Sequence, residues 1–513
     1  MDGSSPFGER DSNPEPGSAM SGGGSFSAPE RLEGASKPGQ GRVWSKLLWI
    51  LILASCVGLH VIQMVSQSVM TEDPTPEPDQ VQSMELRYFS RVAFGLEGLS
   101  SGSGSMSSIA GSPTDMLDEV ATGPIEQLRA AIVVAAALNE FQQAETLLQD
   151  AERSLGRLEG GITNQGDPRG EADADWFADM REDIRIVRRV IERESAAGLA
   201  KDLADRLEAR HGDFGEMVRV IGSPESDPLR QRFASRGMQT AIAAVVIVGT
   251  AGLAILAGFV LGIVALVLLA TGRLRRRLNV QSQWSHRDRT LLLEGFMLFL
   301  VGFVVVTTAA ALIQQFAGVD LSPVLIWLLL LTPFWPLLRG MSWGQLHLAL
   351  GWHANGKGVG GAIKEAWCGV VGYLAGLPIV VLGFLISLGL ISILHTEPSH
   401  PAVSEAMNAD LKTAIKLFVL ASLWAPIVEE TVFRGLLYYN MRKWAAPILA
   451  ALVVAFLFAI IHPQGLALVP ALMGLAVVFA LMREWRGSII GPMVAHGMHN
   501  AFIITTVMLL LGQ

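Results

Sequence analysis

Two adjacent carboxylates and an arginine lie inside a very apolar stretch of the chain, LWAPIVEETVFRGLLYY. Arg434 follows Glu430 by four residues, and residues at that spacing share one face of a helix. The two side chains can therefore form an ion pair, which lowers the cost of burying both charges. Glu429 projects about 100° away around the helix, and this leaves its carboxylate available to exchange a proton with water.

Histidines occur in two later apolar stretches, as His462 in FAIIHPQG and as His496 in HGMHN. Neutral imidazoles can hold a divalent metal ion that lowers the pKa of a bound water molecule. Alternatively, one imidazole and the amide of Asn500 can donate hydrogen bonds to the oxyanion of a tetrahedral intermediate. Both versions hydrolyse an amide bond without a serine or cysteine nucleophile. His499 adjoins Asn500, but only His496 stands four residues before it.

The four polar groups come to similar depths in a bilayer if each stretch is a helix that rises about 1.5 Å per residue. Counted from the flanking basic residues, Glu429 lies about 20 Å deep, His496 about 15 Å and Asn500 about 21 Å, and His462 lies about 24 Å from the expected start of its helix near Ala446. The sequence therefore predicts that these side chains converge inside the membrane.

The patterns EETVFRG, FAIIH and HGMHN, in this order on successive apolar stretches, resemble the CPBP family of intramembrane proteases. That family contains the CaaX prenyl endopeptidases and the Abi and bacteriocin-processing proteins. The resemblance covers about residues 365–511. It implies Glu429 as the catalytic base, His462 and His496 as catalytic or, if Zn²⁺ is bound, metal-facing residues, and Asn500 as oxyanion support.

The resemblance also implies a supporting structural role for Glu430 and Arg434, in agreement with the ion pair inferred from their spacing. The activity it implies is hydrolysis of a peptide bond in a membrane-associated or lipidated protein or peptide. Glutamate would activate the water molecule, with or without a metal ion. The long front portion of the chain, before about residue 365, is not part of the family core.

The composition is that of a membrane protein. Of 513 residues, 50% are hydrophobic and 17% are charged, whereas soluble domains average about 25% charged residues. Apolar runs of roughly 18 residues or more can cross a bilayer as helices. The sequence predicts an all-α bundle of about nine spans, near residues 43–68, 240–271, 291–315, 322–338, 367–394, 411–440, 446–462, 466–482 and 488–511. Both cysteines lie in apolar runs, which makes a disulfide framework or a cysteine zinc site improbable.

Five regions follow from the changes in composition along the chain. Residues 1–42 are rich in Gly, Ser and Pro and are predicted to be a disordered tail. Residues 43–68 form a signal anchor, and residues 71–236 form a small helical domain. Residues 238–364 contain spans 2–4 with a loop, and residues 365–513 contain the catalytic core.

The distribution of basic residues predicts the orientation of the chain. Short loops after the even-numbered spans carry Lys and Arg, and the opposite loops at 316–321, 395–410 and 463–465 carry none. This asymmetry predicts a multi-pass protein of the cell membrane with a cytoplasmic N-terminus. It places the loop after spans 2–4 in the cytoplasm and the 71–236 domain outside it.

Two other functions remain open at this stage, a membrane transporter or a non-enzymatic scaffold that uses the same polar residues. Transporters often contain repeated halves, and the front half has no second EExxxR pattern. The predicted partners are a protein or peptide substrate in the membrane, the lipid bilayer and a protein bound by the helical domain, and no nucleic acid. Glu294, in the third span, has no evident partner in the sequence.

Overall fold

The computed structural model describes residues 40–70, 86–95, 117, 125–162, 170–274, 276–278, 284–319, 321–355, 358–394, 401–407 and 409–512. Over these ranges the chain forms helices joined by turns, with no strand. The all-α prediction is therefore confirmed. The predicted disordered tail lies, up to residue 39, outside the described residues.

The main helices are named here in chain order. They are α1 (Gln40–Met70), α2 (86–95), α3 (Ile125–Ala137), α4 (Phe141–Ile162), α5 (Gly170–Glu192), α6 (Lys201–His211), α7 (Asp213–Met217), α8 (Pro228–Ala270), α9 (His286–Ala317), α10 (Ser322–Leu325), α11 (Trp335–Leu338), α12 (Trp343–Leu350), α13 (Gly358–Leu394), α14 (Pro401–Met407), α15 (Leu411–Met441), α16 (Pro447–Ile460), α17 (Val469–Arg486) and α18 (Ile490–Leu511). Single 3₁₀ segments at Val218–Val220, Ile326–Phe334 and Leu466–Leu468 join neighbouring helices.

Six helices of the described chain are long and apolar enough to cross a membrane: α8, α9, α13, α15, the segment Leu466–Arg486 and α18. The other three predicted spans coincide with shorter apolar helices, Val43–Leu59, Ile326–Leu338 and Pro447–Ile460. The protein is a polytopic helical membrane bundle.

The helices α2 to α7 and the first part of α8 share a separate hydrophobic core, in which the apolar face of α3 is buried. At its centre, Asp183 is 1% exposed and contacts Arg129 at 3.0 Å, Arg210 at 2.8 Å and His211 at 2.7 Å. Burial raises the pKa of Asp183, but the hydrogen bond to His211 and the charges of Arg129 and Arg210 outweigh it and hold that pKa below its usual value. This charged cluster therefore joins α3, α5 and α6 and stabilises their packing.

Helix α13 approaches its neighbours through glycines. A Cβ on Gly369 would lie 2.5 Å from the Gly491 carbonyl oxygen in α18, and one on Gly383 would lie 2.4 Å from the Pro470 carbonyl oxygen in α17. Small residues allow such backbone contact, which favours packing of helices in membranes. The glycine face of α13 thus fixes the positions of α17 and α18.

The turn that connects α17 to α18 is also stabilised by polar contacts. Gly487 ends α17 in the left-handed conformation, with φ of 69°, which glycine adopts without strain. Just before it, Arg486 donates to both carboxylate oxygens of Glu365 in α13, at 2.9 and 2.6 Å. Asn355 donates to the same carboxylate at 2.9 Å. These bonds hold the start of α18 against α13.

Glu294 in α9 has partners that the sequence did not reveal. Its carboxylate accepts hydrogen bonds from the indole nitrogens of Trp44 and Trp335, both at 3.0 Å. Arg339 lies 3.3 Å from it. The glutamate therefore joins α1, α9 and the region around α11 into one unit, which accounts for an acidic residue in an apolar helix.

Candidate active site

Helix α15 is not a regular α-helix. It contains two π-helical segments, Leu420–Trp424 and Glu430–Tyr438, on either side of Ala425–Glu429. The assumption of uniform α-helical geometry in this stretch was therefore wrong. Such wide turns contain an extra residue per turn, and they occur often at functional sites. Glu429 stands at the junction where the second wide turn begins.

The predicted pair between Glu430 and Arg434 is confirmed, with Arg434 Nη1 donating to Glu430 Oε1 at 3.0 Å and both side chains 0% exposed. The guanidinium also donates to the Ala476 carbonyl oxygen in α17 at 3.0 Å. It lies 4.8 Å from the ring centre of Phe458 and 5.3 Å from that of Phe479. These contacts stabilise a buried cation and tie α15 to α16 and α17.

His496 is held by the same carboxylate. Its Nδ1 lies 3.0 Å from Glu430 Oε1, and its ring stacks on Phe479 with centres 5.1 Å apart. A carboxylate accepts hydrogen bonds, so Nδ1 carries the proton and the Nε2 lone pair is free. Glu430 thus orients the imidazole as a base or ligand through Nε2.

His462 is oriented in the same way by a different group. Its Nδ1 lies 2.6 Å from the Phe458 carbonyl oxygen, which can only accept a hydrogen bond. The proton of a neutral ring therefore stands on Nδ1, and Nε2 again offers a lone pair. Its ring lies 4.4 Å from the Phe458 ring, centre to centre.

The two Nε2 atoms meet at the carboxylate of Glu429. Glu429 Oε2 lies 4.0 Å from His462 Nε2 and 3.8 Å from His496 Nε2. These separations are too long for direct hydrogen bonds. The Glu429 side chain is 19% exposed, whereas the Glu430 side chain is 0% exposed. The more accessible carboxylate is therefore the one for which chemistry was predicted, and the buried one contacts Arg434 and His496.

Asn500 does not share in this cluster of contacts. Its amide Nδ2 donates to the Ala421 carbonyl oxygen in the first π-helical segment at 2.8 Å. Close by, a Cβ on Gly497 would lie 2.5 Å from the Ser422 carbonyl oxygen. Asn500 thus braces α18 against α15, and its second amide hydrogen is left for another acceptor. Its oxyanion role stays a prediction.

His499 lies on the side of α18 that faces α13, where its Nδ1 is 2.9 Å from the Tyr373 hydroxyl. The sequence rule that preferred His496 over His499 agrees with this placement. Tyr373 and Phe479 were not singled out from the sequence, because an isolated aromatic residue in an apolar helix carries no local signal. Phe458 did have one, since it stands four residues before His462.

The donor types of Glu429, His462 and His496 are those of a zinc site. Their spacing is not: ligands 2.0–2.1 Å from a tetrahedral zinc ion lie about 3.3 Å apart, and the measured separations are 3.8 and 4.0 Å. Across the described part of the chain, no group of three or more His, Cys, Asp or Glu side chains is arranged to hold a metal ion. The arrangement as it stands does not fit zinc.

Comparison with known proteins gives two matches to this region. Residues 411–502 match the family model of type II CAAX prenyl endopeptidases, Rce1-like. The membrane-embedded CAAX protease MroQ of Staphylococcus aureus (strain USA300) is 25% identical over 142 residues, which make up 25% of this chain and 57% of that protein. The match thus spans little more than half the length of that relative. No solved structure matches the chain.

The family match covers α15 to the middle of α18, and it contains every residue that the sequence patterns singled out for chemistry. It lies inside the region for which those patterns predicted a CPBP resemblance, and that prediction is confirmed. The protein is a multi-pass membrane protein whose residues 411–502 match the family model of Rce1-like type II CAAX prenyl endopeptidases.

Proposed function

We propose that this protein is an intramembrane endopeptidase that hydrolyses a peptide bond of a membrane-associated or lipidated protein or peptide. The observation that carries the proposal is the position of Glu429 Oε2, 4.0 and 3.8 Å from the Nε2 atoms of His462 and His496, which carry no proton in the neutral rings assigned above. A water molecule placed among these three acceptors can donate its two hydrogens to two of them. Its oxygen lone pair then stays free for attack.

In the reaction, the Glu429 carboxylate takes one proton from the water molecule as the water oxygen bonds to the peptide carbonyl carbon. The carbonyl electron pair moves onto its oxygen. When the tetrahedral intermediate collapses, the carbon–nitrogen bond breaks and the leaving nitrogen takes the proton from Glu429. The products are a carboxylic acid and an amine, and the glutamate returns to its starting state.

Glu430 and Arg434 support this step without touching the reacting atoms. The ion pair keeps a negative oxygen 3.0 Å from His496 Nδ1, which fixes the proton on that nitrogen. If the pair were lost, the imidazole could rotate or change tautomer, and Nε2 would no longer face Glu429. We expect these two residues to set the geometry of His496.

Activation of the same water molecule by zinc would require a different arrangement of the donor atoms from the one in this structure. An ion held by His462 and His496 would lower the pKa of bound water, and the donor atoms would have to move closer together than they stand here. Metal content of the purified protein tests this possibility. Stoichiometric zinc that is lost in His462→Ala would favour the metal version, and full activity in metal-free protein would exclude it.

The substrate class is drawn from the matched proteins, whose names refer to CAAX proteases and prenyl endopeptidases. A site buried among membrane helices also favours substrates that partition into the bilayer. We therefore propose peptides with an apolar or lipidated end as the first substrates to try.

The test is cleavage of a peptide library, half of it farnesylated at the C-terminus, by purified protein in lipid nanodiscs, with products identified by mass spectrometry. Glu429→Gln keeps the shape of the side chain and removes the base, so its rate should fall at least about 100-fold. Glu294→Gln is the matched control, because it also neutralises a glutamate in a membrane helix. Equal cleavage by wild type and Glu429→Gln would disprove the assignment.

A further inference from the structure

The hydroxyl of Ser422 is a buried hydrogen-bonding group with no partner among the described residues. It stands in the first π-helical segment of α15, next to Ala421, whose carbonyl oxygen accepts the Asn500 amide. The backbone of Ser422 packs against α18, since a Cβ on Gly497 would lie 2.5 Å from its carbonyl oxygen. Ser422 therefore lies where α15 crosses α18, opposite the residue that follows His496.

This hydroxyl differs from others in the same membrane helices. A serine or threonine in a helix commonly donates to the carbonyl oxygen three or four residues earlier. Such bonds are made by Thr250, Thr271, Thr307, Thr332 and Thr431. Ser422 makes none with any described residue. A buried donor left unpaired costs free energy, and its position beside functional groups makes this hydroxyl available to a ligand.

The position of Ser422 relative to Glu429 suits a ligand that contacts both. Both residues lie against the same stretch of α18, because Gly497 packs on the Ser422 carbonyl oxygen and the Glu429 carboxylate lies 3.8 Å from Nε2 of the preceding residue, His496. A ligand held between α15 and α18 can therefore contact both side chains.

We propose that the Ser422 hydroxyl donates a hydrogen bond to the carbonyl oxygen of the peptide bond that is cleaved. This proposal rests on the peptidase function proposed above. As the water oxygen bonds to the carbonyl carbon and Glu429 takes a proton, negative charge develops on the carbonyl oxygen. Ser422 and the second amide hydrogen of Asn500 stabilise that charge. When the carbon–nitrogen bond breaks, the nitrogen takes its proton from Glu429, and Ser422 keeps its own throughout.

The Ser422 hydroxyl is closed to solvent in this structure. A substrate carbonyl reaches it when α18 separates from the first π-helical segment. The hydrogen bond from the Asn500 amide to the Ala421 carbonyl oxygen joins α18 to this segment. In the open state, the substrate oxygen accepts hydrogen bonds from the Asn500 amide and from the Ser422 hydroxyl, which has no partner in the described part of the closed state.

The test compares Ser422→Ala with Ser387→Ala, using a peptide that the wild type cleaves in nanodiscs. Removal of an oxyanion donor lowers kcat by about 10²–10³-fold, and KM should change less than about threefold because the bond strengthens in the transition state. The melting temperature of Ser422→Ala should be unchanged or higher, since no bond within the described part of the protein is lost. Ser387 accepts from the Ala471 backbone nitrogen at 3.0 Å, so Ser387→Ala should melt earlier and keep its kcat.

The outcomes separate this proposal from the function on which it rests. If Ser422→Ala cleaves at the wild-type rate while Glu429→Gln is inactive, the serine proposal is overturned and the peptidase stands. A lower melting temperature with a raised KM and unchanged kcat would show a structural role and would also overturn it. No cleavage by wild type, or equal cleavage by Glu429→Gln, overturns both.

Discussion

The buried ion pair between Glu430 and Arg434 allows a quantitative test of how the site is held. Replacing Arg434 by Met places an apolar side chain of similar length between the rings of Phe458 and Phe479. The Glu430 carboxylate, which is 0% exposed, then has no cation beside it. Breaking a buried pair by removing one partner costs about 3–5 kcal/mol. Loss of the cation from the rings 4.8 and 5.3 Å away adds about 1–2 kcal/mol.

The double variant Glu430→Gln/Arg434→Met should recover most of that loss. It removes both charges, and replacing a buried pair by neutral groups is often close to neutral for stability. The amide introduced at position 430 still has a carbonyl oxygen to accept from His496 Nδ1, so His496 can keep its tautomer. We expect Arg434→Met to be both unstable and inactive, and the double variant to be stable with part of its activity restored.

The assay is equilibrium unfolding of wild type, both single variants and the double variant in the same detergent, analysed as a double-mutant cycle. The expected coupling energy is at least about 2 kcal/mol. Additive losses would refute the reasoning, because they would mean that the two charges do not depend on each other. An Arg434→Met variant as stable as wild type would refute it more directly.

Three further predictions concern other parts of the structure. Because the pKa of Asp183 is lowered in the folded state, its stabilisation of the helical region that surrounds it should be complete above about pH 5 and should decline as the pH falls from about 3.9, the unfolded value, through the lower folded pKa; proteolysis of the full-length protein from about pH 5 to below about pH 3.9 should show the loss, and less of it in Asp183→Asn. Gly369→Ala would place a Cβ 2.5 Å from the Gly491 carbonyl oxygen and should cost about 1–3 kcal/mol in unfolding experiments. Tyr373→Phe removes one hydrogen bond to His499 and should cost only about 0.6–1.7 kcal/mol by the same measurement, with kcat nearly unchanged; a large drop in kcat would give His499 a catalytic part.

Local spacing was enough for features whose atoms are close in the chain. The Glu430–Arg434 pair formed as predicted because four residues bring the two side chains to one face, and it survived even in a π-helical segment. Most of the predicted spans also followed directly from composition, since an apolar run of sufficient length has few other ways to satisfy its backbone in a bilayer.

Contacts between segments that are far apart in the chain could not be predicted from local spacing or composition. Glu294 looked isolated in the sequence, yet it binds Trp44, which is 250 residues away. The two wide turns of α15 were also missed, although Pro426, two residues after the first of them, lacks a backbone N–H and is a local sign of an irregular helix. The contact of Gly497 with the Ser422 carbonyl oxygen beside the first turn joins residues 75 positions apart and has no local signal.

The sequence by itself therefore determined that the protein is a helical membrane bundle and that three polar patterns near its end belong together. It could rank His496 above His499 by spacing, but it could not say what either ring contacts. Only the tertiary structure decided that Glu430 orients His496, that Glu429 faces both Nε2 atoms and that Asn500 holds α15. The physical reason is that hydrogen bonds between helices depend on how the helices are rotated and packed, and packing is set by contacts spread over the whole bundle.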